Sequence, residues 1–177
     1  MSTETPKRYH PIHVVLHWLM AIMTILAIAI GMFVLNPTPD TAEKTGTLQI
    51  HAIWGGLLGL VLVARLITRF VLPRPASANT DNAFLDFVAR AVHFFLYIGV
   101  IGMVVSGLGT AVQADLFSVF RGAAPFPADF MAYPPRIGHG FTALALLGLI
   151  GLHVAAALYH QFIKKDNLLA RMWFGKR

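Results

Sequence analysis

The chain has 177 residues, of which 56% are hydrophobic and only 12% charged, with a net charge of +6 and no cysteine. Soluble domains average about 25% charged residues, so this composition excludes an ordinary water-soluble globule as well as a disordered or collagen-like chain. The missing cysteines exclude disulfide frameworks, cysteine-ligated iron–sulfur clusters, thiolate zinc sites and covalently attached c-type haem.

Charged residues divide the rest simply. No Asp, Glu, Lys or Arg falls between Arg8 and Asp40, Lys44 and Arg65, Arg90 and Asp115, or Arg136 and Lys164, gaps of 31, 20, 24 and 27 residues. A membrane helix needs about 20 mostly apolar residues. The expected fold class is therefore all-α, a four-transmembrane-helix bundle with spans at about 12–35, 48–70, 84–112 and 137–163. The first span is too long and too late in its apolar run for a secretory signal, and no small-residue cleavage site follows a short apolar core. Between the first two spans, 36–46 reads as a short hairpin containing Pro37 and Pro39. Pro73 and Pro75 stop the second span. The longer segment 115–136 carries four prolines, and its Leu116, Phe117, Val119 and Phe120 predict a short interfacial helix over the bundle. The segment 162–177 mixes basic with large apolar residues and reads as a continuation of the last helix onto the membrane surface. With no repeat and no soluble segment, residues 1–177 read as a single integral membrane domain.

Four spans place both termini and the 73–83 loop on one side. That side carries Lys7, Arg8, Arg65, Arg69, Arg74, Arg90, Lys164, Lys165, Arg171, Lys176 and Arg177, and the other only Lys44, Arg121 and Arg136. The asymmetry predicts that both termini are cytoplasmic. It also accounts for the basic charge, so membrane lipid is the expected partner and nucleic acid is not.

Eight histidines in so apolar a chain call for an explanation. His10, His13 and His160 sit at span ends and read as interfacial polar residues. His17, His51, His93, His139 and His153 lie within the spans, where an ionisable group is costly and functional by default; a single one would be explained by a helix–helix hydrogen bond. In the fourth span His139 and His153 are 14 residues apart, which is about 21 Å of rise and about four turns less 40°, so they share a face. His51, in the first turn of the second span, shares the outer depth with His139. His17, about a turn inside the first span, shares the inner depth with His153. His93, one turn after Arg90, lies at that inner depth too, and sequence geometry leaves open which of His17 and His93 faces His153.

Two histidines from facing helices at one level make a bis-imidazole site. Haem suits it: its iron takes two axial ligands and its porphyrin belongs in an apolar interior. Gly55 and Gly56, Gly138 and Gly140, and Gly148 and Gly151 flank these histidines and leave room for a ring, or for close helix packing. Zinc transport is the alternative, but zinc wants four ligands and the charge-free stretches contain no carboxylate.

His17-Trp18 opening the first span, Ile50-His51 opening the second, His139 with Gly151-Leu152-His153-Val154-Ala155-Ala156-Ala157 in the fourth, and the tail His160 with Lys165-Asp166-Asn167-Leu168-Leu169-Ala170-Arg171-Met172 together resemble the bacterial cytochrome b561 family. The resemblance covers nearly the whole chain in order and length. It is strongest to the di-haem members that oxidise superoxide. It implies a multi-pass protein of the bacterial inner membrane with two haem b groups, the iron of one held by His51 and His139 and of the other by His17 and His153. It implies electron transfer from periplasmic superoxide to ubiquinone. A ubiquinone site near the inner haem would draw on His93 and His160, with Arg90 as charge partner. Related four-helix cytochromes with the same histidine arrangement serve as membrane subunits that exchange electrons between quinone or quinol and a periplasmic redox partner protein, and this is the alternative role. Against superoxide, an anion, stands the outer-loop charge: Lys44, Arg121 and Arg136 against Asp40, Glu43, Asp115 and Asp129, a net of −1.

Overall fold

The computed structural model describes residues 7–76 and 82–175, and these are helical with no strand among them. Helix α1 covers Pro11–Ile30 and runs on through a π-helical turn, Gly31–Leu35. Helices α2 (Lys44–Val71) and α3 (Ala83–Gln113) follow. The short α4 (Leu116–Phe120) and a 3-10 turn (Phe130–Ala132) precede α5 (Pro134–Tyr159), which ends in a π turn at His160–Lys164. The four long helices span 25, 28, 31 and 31 residues with their π extensions, and each exceeds the hydrocarbon thickness at about 1.5 Å of rise per residue. The expected spans match to within about four residues.

The ends of these helices follow from local chemistry. His10 caps α1, its Nδ1 accepting from the Ile12 amide at 3.3 Å, and Pro11 fills a first-turn position that needs no donor. The Asn82 side chain accepts from the Phe84 and Leu85 amides at the start of α3. Leu72, next to Pro73, turns extended and ends α2.

Helix α1 packs mainly on α2 and α3 mainly on α5, so the bundle is two hairpins that meet along α2 and α3. Helix α5 makes little backbone contact with α1 and α2. Small residues explain the close α3–α5 pairing: a Cβ on Gly99 would stand 2.9 Å from Leu146, and one on Gly102 3.2 Å from Thr142. A mid-depth core of Met23, Ile28, Leu58, Leu62, Val100 and Leu146 joins all four helices. A second core, on the side of the 36–43 and 114–133 connections, includes Leu35, Leu48, Leu116, Val119 and Phe130. Large apolar side chains such as Phe33, Phe70 and Phe141 point outward and are exposed, as lipid contact requires. Arg8 and Tyr9 lie beside Ala170 and Arg171 on one side of the bundle, the terminal face, opposite the far face.

Four features depart from expectation. The interfacial helix forms where the sequence places it, but Leu116 and Val119 are buried in the far-face core. Helix α2 begins at Lys44, so His51 lies about two turns inside it; Lys44 is buried against Asp40, which extends the helix beyond the apolar run. His13 is buried, bonds through Nδ1 to Thr68 Oγ1 at 3.0 Å, and ties α1 to α2. The tail does not continue the last helix. Lys165 (φ 55°) and Asn167 (φ 57°) adopt left-handed conformations that stop helical propagation. The chain then folds back onto the N-terminal segment: Tyr9 N donates to Arg171 O (3.1 Å), Arg8 Nη1 to Ala170 O (2.9 Å) and Trp18 Nε1 to Met172 O (2.9 Å). Trp173, expected on the lipid surface, packs edge-on against Trp18. Lys176 and Arg177, two of the basic residues used for orientation, lie outside the described residues.

Candidate functional site

The expected histidines meet at two depths. His51 on α2 and His139 on α5 face each other near the far face with ring centres 6.2 Å apart. Near the terminal face His17 on α1 and His153 on α5 stand 6.3 Å apart. His93 on α3 also reaches His153, at 5.1 Å. A metal–imidazole bond is about 2 Å long, and the ring centre lies roughly another ångström behind the nitrogen, so two imidazoles clasping one metal have centres about 6 Å apart. The first two pairs fit that spacing and the third is too close for it, so His17 is the better placed partner of His153.

The rings are prepared for ligation to different extents. Ser106 Oγ lies 2.6 Å from Gly102 O and 3.0 Å from His139 Nδ1. A hydroxyl has one proton; with it donated to the Gly102 carbonyl, His139 Nδ1–H donates to Ser106 and Nε2 keeps its lone pair. Outer hydrogen bonds of this kind orient metal-ligating histidines. Nδ1 of His17 and of His51 are buried with no hydrogen-bond partner, a rare state for buried polar atoms. Gly31 is next to the His51 ring and Gly107 next to the His139 ring, where a Cβ would stand 3.7 and 3.3 Å from the respective Cε1 atoms. Neither glycine nor Ser106 stands out in the sequence; each is only a small residue among apolar neighbours.

The space beside the far-face rings is narrow, a crevice of about 40 Å³. It lies between α1, α2, α3 and α5 and is lined by Thr24, Ala27, His51, Gly55, Met103 and His139, among others. A Cβ built on Gly55, Gly56, Gly138, Gly148 or Gly151 meets nothing within 4 Å, whereas Gly140 faces Arg136 Nη1. Among the described residues no group of three or more His, Asp or Glu side chains converges as a metal cage would. The donor set is pairs of imidazoles along apolar walls, which fits an axially ligated porphyrin better than tetrahedral zinc.

The remaining candidates are not gathered into one cluster. His93 is exposed, and its Nδ1 donates to Ala89 O at 2.6 Å, leaving Nε2 open. His160, in the π turn, donates through Nδ1 to Asp166 Oδ2. That bond is the largest of the influences holding the Asp166 carboxyl below its ordinary range. Arg90 is exposed, one turn from His93 towards the terminal face. Arg65, counted with the terminal-face charges, is instead buried inside the bundle; its 14-residue interval from His51 was the sequence signal for it.

Replacing His93 with Ala tests the choice between the two partners of His153: the variant is expected to keep its full haem complement in a pyridine haemochrome assay. Loss of one haem would transfer the ligand role from His17 to His93.

The chain is similar in sequence to known proteins over nearly its whole length. The profile of the prokaryotic cytochrome b561 family matches residues 8–175. The chain is 31% identical over 176 residues to cytochrome b561 homolog 2 of Escherichia coli (strain K12), covering 96% of this chain and 93% of that protein. It is 25% identical over 175 residues to the probable superoxide oxidase CybB of Yersinia pestis (97% and 98% covered) and 27% over 174 residues to cytochrome b562 of Cereibacter sphaeroides (96% and 97% covered). No solved structure matches the chain. Four apolar helices and a family match over almost the full length identify this protein as a multi-pass membrane member of the prokaryotic cytochrome b561 family, a family of b-type haem electron-transfer proteins.

Proposed function

We propose that the whole chain is one di-haem domain of the bacterial inner membrane that oxidises periplasmic superoxide and reduces ubiquinone on the cytoplasmic side. The observation that carries this reading is the two histidine pairs, at 6.2 and 6.3 Å, set at two depths on one face of α5. His51 and His139 hold the haem near the far, periplasmic face. His17 and His153 hold the haem near the terminal, cytoplasmic face. The likeness to a probable superoxide oxidase supports the choice of donor.

Bound haem supplies one-electron redox chemistry that no side chain here provides. The chain supplies axial nitrogens, fixes them about 21 Å apart along α5, and surrounds them with apolar walls that exclude water. Superoxide gives up one electron at the far face and leaves as dioxygen. Two such electrons and two protons convert ubiquinone to ubiquinol at the terminal face. His93, exposed and bonded through Nδ1 to Ala89 O, would offer Nε2 to a quinone oxygen, with Arg90 one turn away. His160, anchored through Nδ1 to Asp166, has Nε2 free to pass a proton. His160→Ala is expected to slow quinone reduction about a hundredfold, within the usual range for a lost acid–base group, and to leave both haems bound; loss of a haem would refute the relay role.

One observation favours the alternative donor, a periplasmic redox partner protein. Lys44, one of three basic residues on the far side, is neutralised by Asp40, which leaves Arg121 and Arg136 to attract an anion. A reduced-minus-oxidised visible spectrum followed by anaerobic addition of superoxide, without quinone, separates the cases. Rapid haem reduction supports superoxide oxidation. Haem bands that ignore superoxide but reduce with quinol support a subunit that serves a partner protein. Absence of haem bands would sink both readings.

A further inference from the structure

Among the described residues Arg65 is a buried charge with a nitrogen left unpaired. It lies 14 residues beyond His51 on α2, the interval that separates His139 from His153 on α5. That interval is about 21 Å of rise with a small angular offset, so Arg65 stands at the depth of the His17–His153 pair. It is only 8% exposed. Its Nη1 donates to His13 O at 3.3 Å, and its guanidinium lies 5.8 Å from the centre of the Tyr97 ring. The Nε of Arg65 is buried without a partner, as is the Tyr97 hydroxyl. Among the described residues no Asp or Glu pairs with Arg65. The nearest charge on the same ring is another cation, Arg69, at 5.4 Å.

A cation kept out of water within a membrane span needs an anion or a full set of acceptors. Arg65 has one long bond to a carbonyl, one aromatic face and the neighbouring Tyr97 hydroxyl, which completes no well-formed hydrogen bond with it. A guanidinium and a phenol, brought to one level by α2 and α3 with donors unspent, make a carboxylate receptor. Among the described residues no carboxylate fills it. A haem carries carboxylates on the edge of its ring, and the histidine pair at this depth is the one assigned above to the terminal-face haem. We propose that Arg65 and Tyr97 receive a carboxylate of that haem and set its affinity and redox potential, an inference that rests on the di-haem reading. His13 and Thr68 then act as positioning residues, since their bond holds the His13 backbone against Arg65.

The test uses purified full-length protein and two readouts that do not depend on turnover: haem transfer to excess apomyoglobin and a redox titration of both haems. Arg65→Gln is expected to release the terminal-face haem at least tenfold faster. Its midpoint potential should fall by about 59 mV, a tenfold change in a one-electron equilibrium, because a cation beside a haem favours the reduced form. The far-face haem should be unchanged in both. Arg65→Lys should recover part of the potential, since charge returns, and little of the haem retention, since the planar fork does not. If Arg65→Gln fails to accumulate, Tyr97→Phe removes only the hydroxyl and should give a smaller shift, about threefold in release. Unchanged release and potentials in these variants would overturn the proposal, including the case in which only quinone reduction falls, which would assign the pair to quinone. A wild-type protein with haem at the far-face pair alone would instead overturn the di-haem reading itself.

Discussion

His139→Ala protein is expected to purify with one haem instead of two and to lose electron transfer from the far face altogether. A b-type haem without cysteine linkages is retained by its axial nitrogens and by apolar contact. His139 has the more defined preparation of the far-face pair, with Nδ1 committed to Ser106 and a glycine next to its ring. Alanine removes the nitrogen, and the single partner His51 lacks even a hydrogen bond to orient it. The remaining haem should keep its spectrum and its reduction by quinol, because the His17–His153 pair lies about four turns away along α5. His153→Ala should produce the complementary loss. Haem-to-protein ratios and low-temperature spectra check both. Equal loss of both haems in each variant would show that the pairs are not independent sites.

Asp40→Ala is expected to destabilise the fold by about 1–2 kcal/mol, less than stripping a partner from a fully buried ion pair because the Asp40 side chain is 27% exposed. Asp40 Oδ1 accepts from Lys44 Nζ and Oδ2 from the Phe130 amide at 3.1 Å. One carboxylate therefore neutralises a lysine that is only 6% exposed and fastens the α1–α2 connection to the turn before α5. Burial works against ionisation of Asp40, but the bonds from Lys44 and Phe130 outweigh it and hold the carboxyl below its ordinary value. A depressed folded-state pKa gives stability that is full above the unfolded carboxylate value, about 4, and is lost as pH falls through the folded value. Thermal unfolding in detergent should thus show wild type losing stability below about pH 4 while Asp40→Ala starts lower and responds less. A variant as stable as wild type at pH 7 would mean that Lys44 finds water or another acceptor.

The spans were legible because a bilayer demands long stretches free of charge, and this chain interrupts them almost nowhere. The depth of His17, His51, His139 and His153 followed from the fixed rise of a helix, and the pairs meet at those depths. Arg65 was counted with the terminal-face charges although the expected span at 48–70 encloses it, because a place near a span end does not show which way a side chain points; the helix packing puts the guanidinium inside. His13 was misread for the same reason: proximity to a span end says nothing about which way a ring points. The tail was illegible because its reversal depends on left-handed Lys165 and Asn167. Lysine has no preference for that conformation, and the contacts that offset its cost come from Arg8, Tyr9 and Trp18, about 150 residues away.

The scant backbone contact of α5 with α1 and α2 bears on biogenesis. Each hairpin can complete its own backbone packing as it enters the bilayer, in the order in which the chain is made. The closure between them relies on the mid-depth core that joins all four helices, the folded-back tail and the contact of α2 with α3. Closing one hairpin on the other is then the step that would bring His51 to His139 and His17 to His153.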